Sequence, residues 1–119
     1  MKSFYNINDP EFEEIFHGYS IKDLSVQGRK LPFKWQVNRD MADGMNTLDM
    51  VLYNLFLEHT GFFFPSFKPV FLRIDRDDLM YLMNCGAYSL SASIKRLQEK
   101  KCLVVLQEVG KENAYLART

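Results

Sequence analysis

The most regular hydrophobic pattern in the chain lies between residues 41 and 60. Apolar side chains recur there at alternating spacings of four and three residues: Met41, Met45, Leu48, Leu52 and Leu55. This spacing places the five side chains on one stripe of an α-helix, and Gly61 supplies a stop signal directly after it. The sequence therefore predicts an amphipathic helix over residues 41–60.

Two shorter helices, joined by a tight turn, are predicted further along the chain. Asp75 suits the N-cap of the first helix, Asn84 tolerates the left-handed backbone of a turn, and Gly86 can cap the second helix. Their spacing gives each helix one apolar face. The side chains predicted to face inward are Leu79, Leu82, Met83, Ala87, Leu90, Ile94 and Leu97.

Strands are predicted before and after this pair of helices. Residues 70–74 are a short strand candidate, and residues 104–109 and 114–117 flank a turn as a β-hairpin. The first forty residues are less regular. Pro10 suits the first position of a short helix, and the apolar residues from Ile21 to Leu31 fit either a short strand or an arm.

The order helix, strand, helix, turn, helix and hairpin is that of a winged helix-turn-helix domain. We therefore predict an α+β fold of three main helices and a small antiparallel sheet whose C-terminal hairpin forms the wing. In this organisation residues 1–40 are an N-terminal arm that packs on the domain, and residues 41–119 are the winged helix-turn-helix domain. One domain is what a chain of 119 residues suggests.

Specific residues carry a resemblance to known proteins. From Asp75 to Ala117 the chain resembles the winged helix-turn-helix of bacterial regulators and replication initiators, since the run from Ile94 to Val104 is similar to the family's "I-K-x-L-x-E-K-x-L-I". The chain also resembles RepL-type replication initiators of plasmids and phages. That likeness rests on Phe33-Lys34-Trp35, Val51-Leu52-Tyr53 and the closing Tyr115-Leu116.

The resemblance implies sequence-selective binding of double-stranded DNA, as a replication initiator or a transcriptional regulator. The sequence does not separate these two roles. The outer face of the last helix would then enter the major groove. Predicted groove residues are Tyr88, Ser89, Ser91 and Lys95; predicted phosphate contacts are Arg96, Lys100 and Lys111, with backbone contacts from Arg73 and Arg76. Cations near a helix C-terminus also suit its dipole, so an ordinary solvated helix end remains an alternative for them.

The charge balance favours a second hypothesis. The formal net charge is zero, whereas nucleic-acid binders usually carry a basic excess. The last helix starts with Gly86-Ala87-Tyr88, and Glu112 partly cancels Lys111 at the wing tip. Both features fit a winged helix that acts as a protein–protein interaction module without DNA binding, such as a phage or plasmid accessory factor on a host replication or transcription protein.

A homodimer is a further predicted assembly, because many such domains bind paired half-sites. Residues 4–16 and the aromatic loop 62–67 offer apolar rings outside the predicted motif. We therefore expect any dimer contact to involve these two segments.

Catalytic and metal-binding patterns are absent from the sequence. His17, His59, Cys85 and Cys102 lack the spacing of a zinc site, and we expect both cysteines to be free thiols. There is no glycine-rich phosphate loop and no nucleophile elbow. We predict no cofactor, no metal and no enzymatic activity. The lack of a signal peptide or membrane-length apolar run predicts a cytoplasmic protein with no membrane partner.

Overall fold

The computed structural model describes residues 2–25, 47–60 and 69–118. Within these ranges the chain forms four helices and five strands. In chain order they are β1 (Phe4–Asn6), α1 (Pro10–Ile15), β2 (Ser20–Leu24), α2 (Thr47–Thr60), β3 (Val70–Ile74), α3 (Arg76–Met83), α4 (Ala87–Glu99), β4 (Leu103–Gln107) and β5 (Ala114–Ala117).

All five strands belong to one mixed sheet with the order β1-β4-β5-β3-β2. The three central strands pair antiparallel: β4 with β5, and β5 with β3. Each edge strand pairs in parallel with its neighbour, so that Tyr5 of β1 lies opposite Leu106 and Ile21 of β2 lies opposite Phe71. The N-terminal segment thus supplies both edges of the sheet.

The fold prediction was wrong. In place of a winged helix-turn-helix with three main helices, a small antiparallel sheet and an N-terminal arm, the described chain has four helices and a five-stranded sheet with parallel and antiparallel pairs. Strand β1 is three residues long, too short for an alternating pattern to emerge. Its partner β4 also lies about a hundred residues away, and local sequence cannot reveal so distant a pairing.

Several local predictions are confirmed. The Asp75 side chain accepts a hydrogen bond from the Asp77 backbone N–H at 2.8 Å and so caps α3. Asn84 has φ 50° in the turn, and Gly86 is the N-cap of α4. Pro10 opens α1. The strand over 70–74 and the C-terminal hairpin also form, with β4 shifted to Leu103–Gln107.

Other predictions fall outside the described residues. They include Met41 and Met45 of the long helix, the strand or arm residues after 25, Phe33-Lys34-Trp35 and the aromatic loop 62–67. The proposed domain boundary between residues 40 and 41 also lies there and stays a prediction. Strands from both sides of that boundary nevertheless pair in the same sheet, since β2 is bonded to β3.

One side of the sheet, here called the helical face, is covered by α2, α3 and α4. Alternate strand residues point to this side and meet the apolar stripes of the helices. The core that they form is largely aliphatic. The buried side chains include Leu52, Leu55, Phe56, Leu72, Leu79, Leu90, Leu97, Val105 and Tyr115. Phe56 of α2 stacks on Tyr115 of β5 with ring centroids 4.8 Å apart.

The opposite side, here called the aromatic face, is covered by the six-residue helix α1. Phe12 of α1 and Phe16, its C-cap residue, pack against Tyr5 of β1 and Phe71 of β3 with ring centroids 5.4–5.9 Å apart. Most of these pairs meet edge to face or tilted, the geometry that aromatic quadrupoles prefer. The rings bury much apolar area, so a single short helix suffices to close this side of the sheet.

Candidate functional site

Helix α4 presents one polar stripe to solvent. Its inward side chains Leu90, Ser93 and Leu97 are buried against the rest of the helical face. The residues that follow helical spacing on the opposite side are Tyr88, Ser91, Lys95 and Glu99, and all four are exposed. We call these four residues the α4 stripe. A straight, solvent-facing polar ridge of this kind can approach a macromolecular partner without any change in the fold.

Two predicted groove residues, Tyr88 and Lys95, are exposed on the stripe. The Tyr88 side chain is 88% exposed, although tyrosine is large and partly apolar. Lys95 is exposed and forms no ion pair within the described residues. Ser89, beside Tyr88 in the first turn, is also exposed. The structure therefore brings Tyr88, Ser89, Ser91 and Lys95 together on the outward side of α4.

Arg76, at the start of α3, lies beside the stripe. Its Nη2 donates to the backbone carbonyl oxygen of Ala87 at 3.0 Å and to the Ser91 hydroxyl oxygen. These contacts hold the guanidinium over the first turns of α4. A guanidinium carries five N–H donors, so bonds from Nη2 leave donors on Nε and Nη1 for a ligand.

Arg96 points away from the stripe, toward α2. Its Nε and Nη2 donate to the two carboxylate oxygens of Asp49 at 2.8 and 2.9 Å. The Asp49 side chain is fully buried, and the buried Ser93 hydroxyl donates to the same carboxylate. The bond to Asp49 raises the pKa of Arg96 further above its ordinary value. Arg96 thus neutralises a buried charge between two helices and is poorly placed to contact a phosphate.

The group of Asp49, Ser93 and Arg96 was missed by sequence reasoning. Asp49 falls inside the helix predicted over residues 41–60 but not on its apolar stripe, so the local pattern did not mark it as buried. The usable signal was Ser93, which follows Leu90 by three residues and precedes Leu97 by four. A hydroxyl at a core position needs a buried partner, and a carboxylate on a neighbouring helix can supply it.

Arg73 lies on the aromatic face, on the other side of the sheet from α4. Its side chain is 13% exposed and pairs with Glu108 at 2.5 Å and with Asp23 at 3.9 Å. Lys111, in the turn between β4 and β5, lies 3.7 Å from the second oxygen of Glu108. The structure therefore does not bring Arg73 to the α4 stripe, and a carboxylate already partners Lys111.

Lys100 is exposed directly after the last turn of α4, as its C-cap residue. It follows the stripe at the end where Glu99 also reaches solvent. The two ends of the stripe thus differ. Tyr88 and Ser91 lie at the N-terminal end with Arg76 of α3 beside them, whereas the oppositely charged Glu99 and Lys100 are neighbours at the C-terminal end.

The described part of the chain contains no group of three or more His, Cys, Asp or Glu side chains that could hold a metal ion. Cys85 and Cys102 are free thiols, and burial raises the pKa of both. Among the described helices, none has the length and apolar character required to cross a membrane.

Comparison with protein-family models, with curated proteins and with solved structures gave no match.

Proposed function

We propose that the protein binds double-stranded DNA by placing the α4 stripe in the major groove. The observation that carries this proposal is the grouping of Lys95, Ser91 and Tyr88 on one accessible side of a helix, with Arg76 fixed beside it. The major groove admits an α-helix, and short hydroxyls allow its close approach to base edges. Cations beside such a helix contact phosphates and position it.

The ion pairs around α4 define how strong this binding should be. Arg96 and Arg73 are engaged with Asp49 and Glu108, and Lys111 also lies beside Glu108. Lys100 follows Glu99 at the far end of the stripe, so we propose Lys95 and Arg76 as the principal phosphate contacts. Each neutralised phosphate contributes about −0.9 to the slope of log affinity against log salt. We therefore expect a slope of about −2 per bound chain. Two copies on paired half-sites would double it, which is how a homodimer would reveal itself.

Two biological roles, replication initiation and transcriptional regulation, are suggested by the sequence resemblance alone. A replication initiator and a transcriptional regulator both require duplex recognition, and the α4 stripe fits either. Selecting bound duplexes from a random pool would yield the preferred sequence, and its position relative to a replication origin or a promoter would separate the two roles.

The direct test compares the affinity of three proteins for a fluorescent duplex across a salt series. Lys95→Ala should weaken binding and reduce the salt slope by about one. Lys22→Ala removes an exposed cation from the edge strand β2 and is the matched control, expected to bind as the wild type does. Equal affinities for all three proteins would exclude α4 as the contact surface.

A second candidate function is protein binding, favoured by the nearly complete exposure of Tyr88. Tyrosine is enriched at the centres of protein interfaces, and Tyr81 of α3 is also exposed. The partner would be a host replication or transcription protein. Failure to bind any duplex at low salt, with a folded protein, would favour this candidate over the first.

A further inference from the structure

A small cleft lies beside the middle and last turns of α4, between this helix and the part of the sheet that contains β1, β4 and β5. Its volume is about 180 Å³. The described residues that line it are Phe4, Arg76, Ser91, Ile94, Gln98, Val105, Asn113 and Tyr115. It therefore adjoins the α4 stripe and shares Arg76 and Ser91 with the proposed DNA contact.

The cleft combines an apolar wall with a polar rim. Val105 and Ile94 supply apolar surface from the helical face, and the Phe4 ring, 47% exposed, stands at the edge of the opening. The backbone oxygen of Ser3 accepts from Gln98 Nε2 at 3.2 Å and from the Val105 N–H at 2.8 Å. These bonds fix β1 against α4, so the wall exists before any ligand arrives.

The charge of the rim selects the ligand's polar group. Among the described residues that line the cleft, Arg76 is the one with a charged side chain. Glu112 lies near Tyr115 but does not line the cleft. The Ser91 hydroxyl and the Asn113 amide add hydrogen-bond donors. Nη2 of Arg76 already donates to Ala87 and Ser91, so a carboxylate oxygen would accept a single charge-assisted hydrogen bond from the Nε–H or Nη1–H that remains. The rim therefore suits a carboxylate better than a cation or a neutral group.

The size of the cleft limits the remainder of the ligand. Liquid water occupies about 30 Å³ per molecule, and a cavity of about 150 Å³ can hold a benzene ring. Drug-sized ligands occupy pockets of about 300–1,000 Å³, well above the volume here. A short chain or a single small ring fits against Phe4, whereas a nucleotide does not.

We propose that this cleft binds a small organic carboxylate with a short apolar tail, and that the bound carboxylate competes with DNA phosphate for Arg76. The competition rests on the proposed function, whereas ligand binding does not. A ligand and DNA that share one cation bind with negative coupling, and each must weaken the other by the same factor.

The test for binding titrates hexanoate into the isotope-labelled full chain without DNA, to about 10 mM, a range suited to weak ligands. Saturable NMR shifts should appear at Ser91, Gln98 and Asn113. Hexan-1-ol, which keeps the tail but lacks the charge, should bind about tenfold more weakly. Equal shifts from both compounds, or no saturable shift from hexanoate, would overturn the site.

Two variants and a control sharpen this test. Arg76→Gln should weaken hexanoate about tenfold, and Phe4→Ala should weaken it by removing the apolar wall while leaving duplex affinity unchanged. Lys22→Gln, remote from the cleft lining, should bind hexanoate as the wild type does. Circular dichroism establishes that each variant is folded. Unchanged hexanoate affinity in folded Arg76→Gln would contradict the assignment of the carboxylate to this guanidinium.

The competition has its own readout. Saturating hexanoate should raise the dissociation constant of the duplex for the wild type and raise it less for Phe4→Ala at the same concentration. If hexanoate binds but duplex affinity stays constant, the competition is wrong. If the duplex never binds, the proposed function fails, and the titration without DNA still decides whether the cleft is a ligand site.

Discussion

The two faces of the sheet bury different types of side chain and differ in the position of their charged residues. The helical face is mainly aliphatic and carries three helices, and the ion pair of Arg96 with the buried Asp49 lies there, between α4 and α2. The aromatic face is closed by one short helix and a cluster of rings, and its charges lie near the surface around Arg73. On the aromatic face α1 exposes three carboxylates, Glu11, Glu13 and Glu14, whereas the α4 stripe on the helical face exposes Lys95 beside Tyr88 and Ser91.

This difference shows that the role of an arginine depends on where the fold places it. Arg73, Arg76 and Arg96 look equivalent as sequence-predicted phosphate contacts. The structure assigns one to an ion-pair cluster on the aromatic face, one to the α4 stripe and one to a buried carboxylate. Local charge density in the sequence therefore overstates the cationic surface that a polyanion would meet.

The largest predicted effect concerns the aromatic face. Phe12→Ala removes a fully buried ring and should lower the free energy of unfolding by about 3–5 kcal/mol, because it leaves a cavity among Tyr5, Phe16 and Phe71. Ile15→Ala, on the same helix at a 40% exposed position, should cost less than about 1 kcal/mol. Urea denaturation measures both. Equal small losses would mean that the N-terminal segment is accessory to the fold.

The next effect separates two neighbours on α4. Arg96→Ala removes the two hydrogen bonds that Arg96 donates to the buried Asp49 carboxylate and should destabilise the protein by about 2–3 kcal/mol, less than for a fully buried pair because Arg96 is partly exposed. Lys95→Ala should change stability by less than about 0.5 kcal/mol while it weakens duplex binding. An Arg96→Ala protein as stable as the wild type would remove Arg96 from the structural role assigned to it.

The smallest predicted effect concerns His59, near the end of α2. Burial lowers the pKa of His59 from its ordinary value of 6.5, and the charge of Lys22 lowers it further. The folded state therefore binds the proton less readily than the unfolded chain, so stability should fall as pH drops through 6.5. His59→Gln should flatten this part of the pH profile of Tm. An unchanged profile would attribute the acid sensitivity to other groups.

The sequence predicted the elements of the C-terminal half better than the strands at the two edges of the sheet. Local periodicity and turn chemistry predicted helices α3 and α4, with their caps at Asp75 and Gly86, and the hairpin β4–β5. The parallel edge strands do not, because their partners are distant in sequence and β1 is too short to show alternation. The aromatic rings of residues 4–16 illustrate the consequence. We expected these rings to lie in an arm and to contact a second copy of the chain. Instead Tyr5, Phe12 and Phe16 are buried in the chain's own core.

The candidate site divides in the same way. Helical spacing predicted that Tyr88 and Lys95 lie on the outer side of α4 with Ser91 near them, and all three are exposed, because that placement depends on a single element. The partners of Arg96, Arg73 and Lys111 lie on other elements or across a turn, and no spacing rule on α4 could reveal them. Ionic partners between elements are a property of the assembled fold.

The measurement that tests the central claim most directly is an NMR titration of the labelled full chain with a mixed-sequence duplex at low salt. The account predicts that the largest shifts fall on Tyr88, Ser89, Ser91 and Lys95, with Arg76 perturbed beside them, while α1 and β2 are unaffected. Shifts centred on α1 or the aromatic face, or a spectrum that does not change when DNA is added, would contradict it.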